Sequence, residues 1–131
     1  MKMQCMRFVL LHHIDWPGHA DHYDLMLQMA RGDDDESMVL ETYSSEADEL
    51  PDGIKQNAMR RVKPHRRMYL DYQGPVSGGR GLVRRIDDGE LRNYGVDGKK
   101  NVSFEMFGRL FKGKYLISLN RSNQLVFMKI K

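Results

Sequence analysis

Apolar and polar residues alternate along most of this chain, in short runs separated by turn residues. Residues 21–29 alternate most cleanly: every odd position from Tyr23 to Met29 is apolar, and the even positions are polar apart from Met26. Side chains on a β-strand point to opposite faces in turn, so this period indicates a strand with one core face and one polar face. Residues 7–13 form instead a short continuous apolar run, which is typical of a buried strand.

The same reasoning predicts strands along nearly the whole chain. They cover residues 7–13, 21–29, 38–43, 65–72, 82–86, 91–94, 102–107, 114–119 and 124–130. We also expect a short helix over residues 54–62 and a hairpin turn at Asp87-Asp88-Gly89. Many short strands with one or two short helices indicate an all-β fold, a small closed or partly open β-barrel. We expect a single domain over residues 1–131.

Composition adds little to this prediction. The 131 residues are 40% hydrophobic and 30% charged, as in ordinary globular proteins, and the net charge of +3 permits an anionic partner without requiring one. Cys5 is the only cysteine and cannot form an internal disulfide. No apolar run approaches the length of a membrane span, so we expect a cytoplasmic protein with no membrane partner.

The polar faces of two predicted strands carry the candidate chemistry. His22 and Asp24 share one face of the strand 21–29, and His65, Arg67 and Tyr69 share one face of the strand 65–72. Imidazole nitrogen and carboxylate oxygen are ligands that manganese, zinc and iron prefer. Parity alone leaves two interpretations open: a metal site completed by His13 or His65, or surface histidines with polar neighbours.

The packing of these strands follows from the same parity. We expect a polar barrel interior near the site, with Leu25, Leu27, Met68 and Leu70 in the apolar core. Trp16, just before Pro17-Gly18, is either an exposed stacking residue or a loop anchor, and we favour the anchor.

One ordered set of residues goes beyond composition. The chain contains His13, then His22-Tyr23-Asp24-Leu25-x-Leu27, then His65-x-x-x-Tyr69-x-Asp71-x-x-Gly74-x-x-x-Gly78-x-x-Gly81. This order resembles the 3′-phosphoesterase domain that accompanies polymerase and ligase modules in bacterial DNA ligase D, and its stand-alone homologues. The resemblance runs across nearly the entire chain. It implies a small β-barrel that trims phosphate or ribonucleotide from DNA 3′ ends, leaving a hydroxyl that a ligase can seal.

The resemblance also implies roles for individual residues. His13, His22 and Asp24 would bind a divalent metal, with manganese expected and zinc as the alternative. Because the interval between His13 and His22 is longer than in the family, His12 or His19 is the alternative to His13. His65 would contact the reacting phosphate, and Tyr69 would lie in the same pocket.

The chain departs from the family at two positions near the metal ligands. Met26 stands where the family has an arginine that grips phosphate, and Gln28 stands where it has an acidic residue. We expect Arg67 to replace the missing arginine as a catalytic residue, because its planar fork can bind two phosphate oxygens. We expect Arg66 and Arg80 to contact nucleic acid.

These observations support one leading function and two alternatives. The first is a manganese-dependent 3′-phosphoesterase in end repair, acting on DNA or RNA 3′ ends, with a DNA ligase or polymerase as a further partner. The second is a catalytically degenerate member that only binds nucleic acid or a repair partner. The third is a non-haem iron oxygenase, since His22-x-Asp24 and a distal His65 imitate its ligand triad, but the chain is short for that fold.

Overall fold

The structure, a computed structural model, describes residues 6–98 and 101–130. Within these ranges the chain forms nine strands: β1 (Met6–Ile14), β2 (His22–Gln28), β3 (Leu40–Ser45), β4 (Asn57–His65), β5 (Gly74–Pro75), β6 (Leu82–Asp97), β7 (Asn101–Phe107), β8 (Lys112–Leu119) and β9 (Leu125–Ile130). The described residues form one helical segment, the 3-10 turn Arg67–Leu70, and no helix there is long and apolar enough to cross a membrane. Cys5 lies outside the described residues.

Eight of these strands form a hydrogen-bonded ring. They follow the order β1-β2-β3-β4-β9-β8-β7-β6, β6 pairs back with β1, and the short β5 pairs with β6 as well. Every neighbouring pair is antiparallel. The all-β, barrel-like fold predicted from the sequence is therefore confirmed.

Most of the predicted strands are found with ends within two residues of those expected. The hairpin at Asp87-Asp88-Gly89 is wrong, because β6 runs through it as one strand of 16 residues. The strand is long because residues 82–91 pair with β1 and residues 90–97 pair with β7. Tertiary pairing on two sides thus overrides a local turn sequence.

The acidic residue Asp87, in the middle of β6, has a structural role. Its side chain is buried and accepts backbone hydrogen bonds from Arg109 (2.8 Å), Leu110 (3.0 Å) and Phe111 (3.0 Å), in the connection between β7 and β8. A Cβ at Gly108 would lie 2.5 Å from Asp87 Oδ2, so only glycine fits beside the carboxylate. Asp87 therefore ties β6 to the turn that follows its neighbour.

The predicted helix over 54–62 is also wrong, because most of that segment belongs to β4. Asn57 and Met59 are buried, and β4 hydrogen-bonds to β3 on one side and to β9 on the other. A segment inserted between two strands satisfies its backbone groups in the ladder, whatever its local propensity.

The predicted strand 65–72 is wrong as well. His65 is the last residue of β4, and the chain then turns into the 3-10 segment Arg67–Leu70. Residues beyond His65 therefore do not share a strand face with it. Met68 and Leu70 do pack among apolar residues, as predicted, but through the 3-10 turn.

Two apolar clusters lie on opposite faces of β1 and β2. The first fills the barrel interior with residues from the ring, including Phe8, Leu25, Leu27, Phe104 and Phe127. The second lies outside the ring, where the 3-10 turn covers the sheet; it contains Val9, Leu11, Met26, Leu40, Tyr69, Leu70 and Val83. The predicted polar interior near the site is therefore wrong, because His22 and Asp24 share their strand face with Met26, on the outer side.

Replacing Asp87 with alanine should destabilise the protein by about 3 kcal/mol, because three backbone N–H groups, one buried and two partly buried, lose their acceptor. Urea unfolding followed by circular dichroism measures this. The matched control is Asp88→Ala, whose carboxylate is partly exposed and forms one 3.8 Å contact with Arg7. It should cost less than about 1 kcal/mol. Equal losses in the two variants would contradict the role given to Asp87.

Candidate metal centre and its cavity

Three side chains from two paired strands converge at one end of the outer face. His13 lies directly opposite His22 in the antiparallel register of β1 and β2, and Asp24 follows two residues along β2 on the same face. One potential ligand atom from each residue lies within 4.8 Å of the others. The strand parity expected for His22 and Asp24 is thus found, and this group, the His-His-Asp trio, is able to hold a metal ion.

Hydrogen bonds to backbone carbonyls orient both imidazoles. His13 Nε2 donates to Arg80 O at 2.7 Å, and His22 Nδ1 donates to Ala20 O at 3.0 Å. Because a carbonyl oxygen can only accept, each of these nitrogens carries the proton in the neutral ring. The other two nitrogens, His13 Nδ1 and His22 Nε2, face Asp24 at 3.7 and 3.4 Å. Metal-binding histidines are held in this way in known sites.

Asp24 is the electrostatic centre of the trio. It is 3% exposed, and such burial alone would raise the pKa of the carboxyl, but the neighbouring imidazoles of His13 and His22, in the form that carries a proton toward Asp24, and the hydroxyl of Ser44 lower that pKa far below its usual range. The hydrogen bond with Asp24 in turn raises the pKa of His22, against the effect of burial. The buried carboxylate therefore requires a positive charge beside it, which a proton on His22 or a divalent cation supplies.

The donor set fits a divalent transition metal. Two imidazole nitrogens with fixed tautomers and one ionised carboxylate are preferred ligands of manganese, zinc and iron. His65, the other ligand weighed from the sequence, is not part of the trio found among the described residues.

A β-bulge in β4 brings His65 to the same cavity. Leu40 and Thr42 on β3 pair with His65 and Val62 on β4, so two residues on β3 span three on β4. A bulge of this kind reverses the strand's parity, and His65 ends on the same face as Val62. The Tyr69 ring meets His65 edge-on at 5.8 Å, so His65, Tyr69 and the trio border one space.

His65 is held as a neutral base. Burial is the main cause that lowers its pKa below the usual value, and its Nδ1 donates to Lys63 O at 3.1 Å. The proton-accepting atom of the neutral ring is therefore Nε2.

Arg67, expected at the phosphate, and Arg66, expected at the nucleic acid, do not border the cavity of the trio. The Arg67 guanidinium donates to Arg31 O and Gly32 O at 3.0 and 3.2 Å and borders a separate cavity of about 330 Å³. Arg66 pairs with Glu36 at 3.0 Å. The prediction that Arg67 shares a face with His65 is wrong, because the chain leaves the strand at His65.

Other cations border the cavity of the trio, which has a volume of about 570 Å³. Arg60 and Lys63 lie on β4, and Arg80 lies in the turn before β6. Arg80 was predicted to contact nucleic acid, but its guanidinium donates to Ser77 O at 2.7 Å, within its own turn. The sequence did not identify Arg60 as a site residue, because its segment was predicted to be a helix. In the sheet, Asp24 on β2 pairs with Ser44 on β3, and Ser44 pairs with Arg60 on β4, which puts Arg60 beside the trio.

Met26 and Gln28, which differ from the pattern of the family that the sequence resembles, are both explained by packing. Met26 is 1% exposed and packs in the outer apolar cluster at the edge of the cavity. Gln28 is buried at the other end of β2, where its Oε1 accepts a hydrogen bond from the Arg7 backbone N–H at 2.9 Å. Neither position places a charge at the trio.

Comparison with known proteins adds no relative. No family model matches the chain, and no curated protein matches it in sequence. The resemblance to the 3′-phosphoesterase domain therefore stays a prediction, carried by its motif residues.

Replacing Asp24 with asparagine keeps the shape of the side chain but removes the charged ligand. We expect the affinity for Mn²⁺ and Zn²⁺ to fall by about 100-fold or more, as measured by isothermal titration calorimetry. The matched control is Asp21→Asn, because Asp21 borders the same cavity outside the trio. Asp21→Asn should bind both metals as the wild type does. Wild-type affinity in Asp24→Asn would remove the trio as the metal site.

Proposed function

We propose that this protein is a divalent-metal-dependent 3′-phosphoesterase acting on DNA or RNA 3′ ends, with manganese as the metal and zinc as the alternative. The observation that carries the proposal is the His-His-Asp trio, with its imidazole tautomers fixed, bordering a cavity that also contains His65 and the cations of β4. The family resemblance supplies the choice of 3′ ends as substrate and of end repair as the process.

Different residues of the cavity would have different roles in hydrolysis. A bound divalent ion would polarise a phosphoryl oxygen and offset the charge that develops during the reaction. His13, His22 and Asp24 would hold that ion, and Arg60 and Lys63 would bind the remaining phosphate oxygens. His65 Nε2 would accept a proton from the attacking water, which forms the new P–O bond as the bond to the 3′ oxygen breaks. The departing oxygen takes up a proton from solvent and becomes the 3′ hydroxyl.

Arg60 replaces Arg67 as our candidate for the phosphate clamp. It lies in register with Ser44, whose hydroxyl donates to Asp24, so the guanidinium extends from the same cross-strand row as the metal ligand. Arg61, one residue later, points to the other face and pairs with Glu41 at 2.8 Å. No ion pair within the described ranges engages Arg60, which leaves its fork available for an anion.

A second candidate function is binding of nucleic acid, or of a repair partner such as a ligase or polymerase, without catalysis. The buried Met26 favours it, because the family's phosphate-gripping arginine is absent from that position. The same cavity and cations would serve this function. Both candidate functions predict binding of the same nucleic-acid ligand, but only the phosphoesterase predicts its turnover.

Release of phosphate from a DNA strand with a 3′-phosphate, measured as Mn²⁺ is titrated, tests the main proposal. We expect release that saturates with Mn²⁺, stops on addition of EDTA and is lost in Asp24→Asn. His65→Ala should lower turnover by about 100-fold or more, because a positioned proton acceptor is removed. A strand carrying only a 5′-phosphate is the control. A strand that binds but releases no phosphate at any Mn²⁺ concentration would favour the binding function instead.

Comparison of Arg60→Ala with Arg61→Ala tests the clamp. Arg60→Ala should lower kcat/KM for the 3′-phosphate strand by about tenfold or more, equivalent to about 1.4 kcal/mol of transition-state stabilisation. Arg61→Ala removes the same charge from the opposite face, so it controls for general attraction of DNA. Similar losses in both variants would mean that Arg60 contributes only to the overall field of the protein.

A further inference from the structure

Three aromatic rings stack in a column that runs from the trio to the surface. The rings of His13 and Trp16 are 5.1 Å apart with 17° between their planes, and those of Trp16 and His19 are 3.7 Å apart with 20° between their planes. His13 is buried, Trp16 is partly buried and His19 is exposed. This ring column therefore begins at a metal ligand and ends at an accessible ring.

The loop that carries the column has a defined backbone. Asp15 and Gly18 adopt positive φ angles of 59° and 80°, and His19 N donates to Trp16 O at 3.0 Å. Asp15 N donates to the Asp21 carboxylate at 3.1 Å, which joins the two ends of the loop. A Cβ at Gly81 would lie 2.8 Å from Trp16 N, so the loop packs directly on the backbone of the turn before β6.

This arrangement is not explained by core packing. Both apolar clusters of the described residues lack Trp16, although it is the only tryptophan in the chain. Trp16 and His19 border the same cavity as His22, Asp24 and His65. Beyond the loop anchor that the sequence predicts, the Trp16 ring takes part in an aromatic wall of the cavity.

We propose that the exposed face of the His19 ring, supported from behind by Trp16, is a stacking platform for the base of a nucleotide whose phosphate is held at the trio. The cavity would then select a nucleoside 3′-phosphate, free or at the end of a strand, over a phosphomonoester without a base. This inference rests on the proposed function, since it places the phosphate at the trio.

The chemistry of the cavity matches such a ligand on each side. The loop supplies aromatic rings, on which any base can stack, while β4 supplies the cations of Arg60 and Lys63 for the phosphate. A volume of about 570 Å³ is in the range of small-molecule sites and far larger than a phosphate group requires. The exposed ring lies two ring spacings from His13, within reach of the base of a nucleotide whose phosphate lies beside the trio.

Binding of labelled single strands tests the platform. Each strand ends in a 3′-methylenephosphonate, a phosphate analogue whose P–C bond resists hydrolysis, and its last nucleotide either has a base or is abasic; fluorescence anisotropy in Mn²⁺ measures affinity with metal at the trio and without turnover. We expect the wild type to bind the strand with the base about tenfold more tightly, as base–aromatic stacking predicts. Trp16→Leu should bring this ratio close to one while the abasic strand binds as before, and Trp16→Phe should retain most of the ratio. Phe107→Leu, which changes an exposed aromatic residue of β7, should leave the ratio unchanged.

Free adenosine 3′-monophosphate distinguishes the two sources of the ligand. If it quenches the fluorescence of Trp16 while inorganic phosphate does not, the platform accepts a free nucleotide; if only the strand with a terminal base shows the preference, the site requires a strand end. Equal binding of the two strands by the wild type would overturn the platform and leave the phosphoesterase proposal standing. A base preference together with no Mn²⁺-dependent release of phosphate would support the platform and overturn the phosphoesterase.

Discussion

The double pairing of β1 is the constraint on which the rest of this structure depends. β1 pairs with β2 along one edge and closes the ring by pairing with β6 along the other. Its faces are covered as well: Phe8 and Leu10 pack in the interior, while Val9 and Leu11 pack under the 3-10 turn. A strand with no free edge and no solvent face has little freedom to move. His13, near its end, is therefore a well-fixed candidate ligand.

Asp24 is buried beside this rigid strand, so its carboxylate needs a cation nearby. Its carboxylate lies where the outer apolar cluster ends, and removing it from water is costly unless positive charge and hydrogen bonds replace the lost hydration. Ser44 donates one hydrogen bond, but the two imidazole nitrogens that face Asp24 bear lone pairs when the rings are neutral and then donate none. A divalent ion satisfies all three ligands at once. The cation that would stabilise the buried carboxylate is therefore the same one that the proposed reaction would use.

The sequence predicted the features that depend on local period and missed those that depend on partners. Alternation in residues 21–29 placed His22 and Asp24 on one face, because a regular strand keeps its parity. Parity failed at His65, since a bulge and the following turn depend on how β4 meets β3. It failed again at Asp87, where three backbone donors from a distant segment hold an acid inside a strand. No local pattern encodes those partners.

Burial also explains why the outer face of β2 has Met26, whereas the nearby cation, Arg60, lies on β4. An arginine at position 26 would put its charge among Leu40, Tyr69 and the rest of the outer cluster, where water is excluded. The exposed Arg60 keeps its hydration when no ligand is bound, so its charge costs the fold little. Adjacent strands are about 4.8 Å apart, which puts the Arg60 backbone about 10 Å from that of Asp24, a distance that a long side chain and a phosphate together can span. With Met26 on β2 and Arg60 on β4, the chain keeps a dry apolar face beside the trio and still has a guanidinium at the cavity.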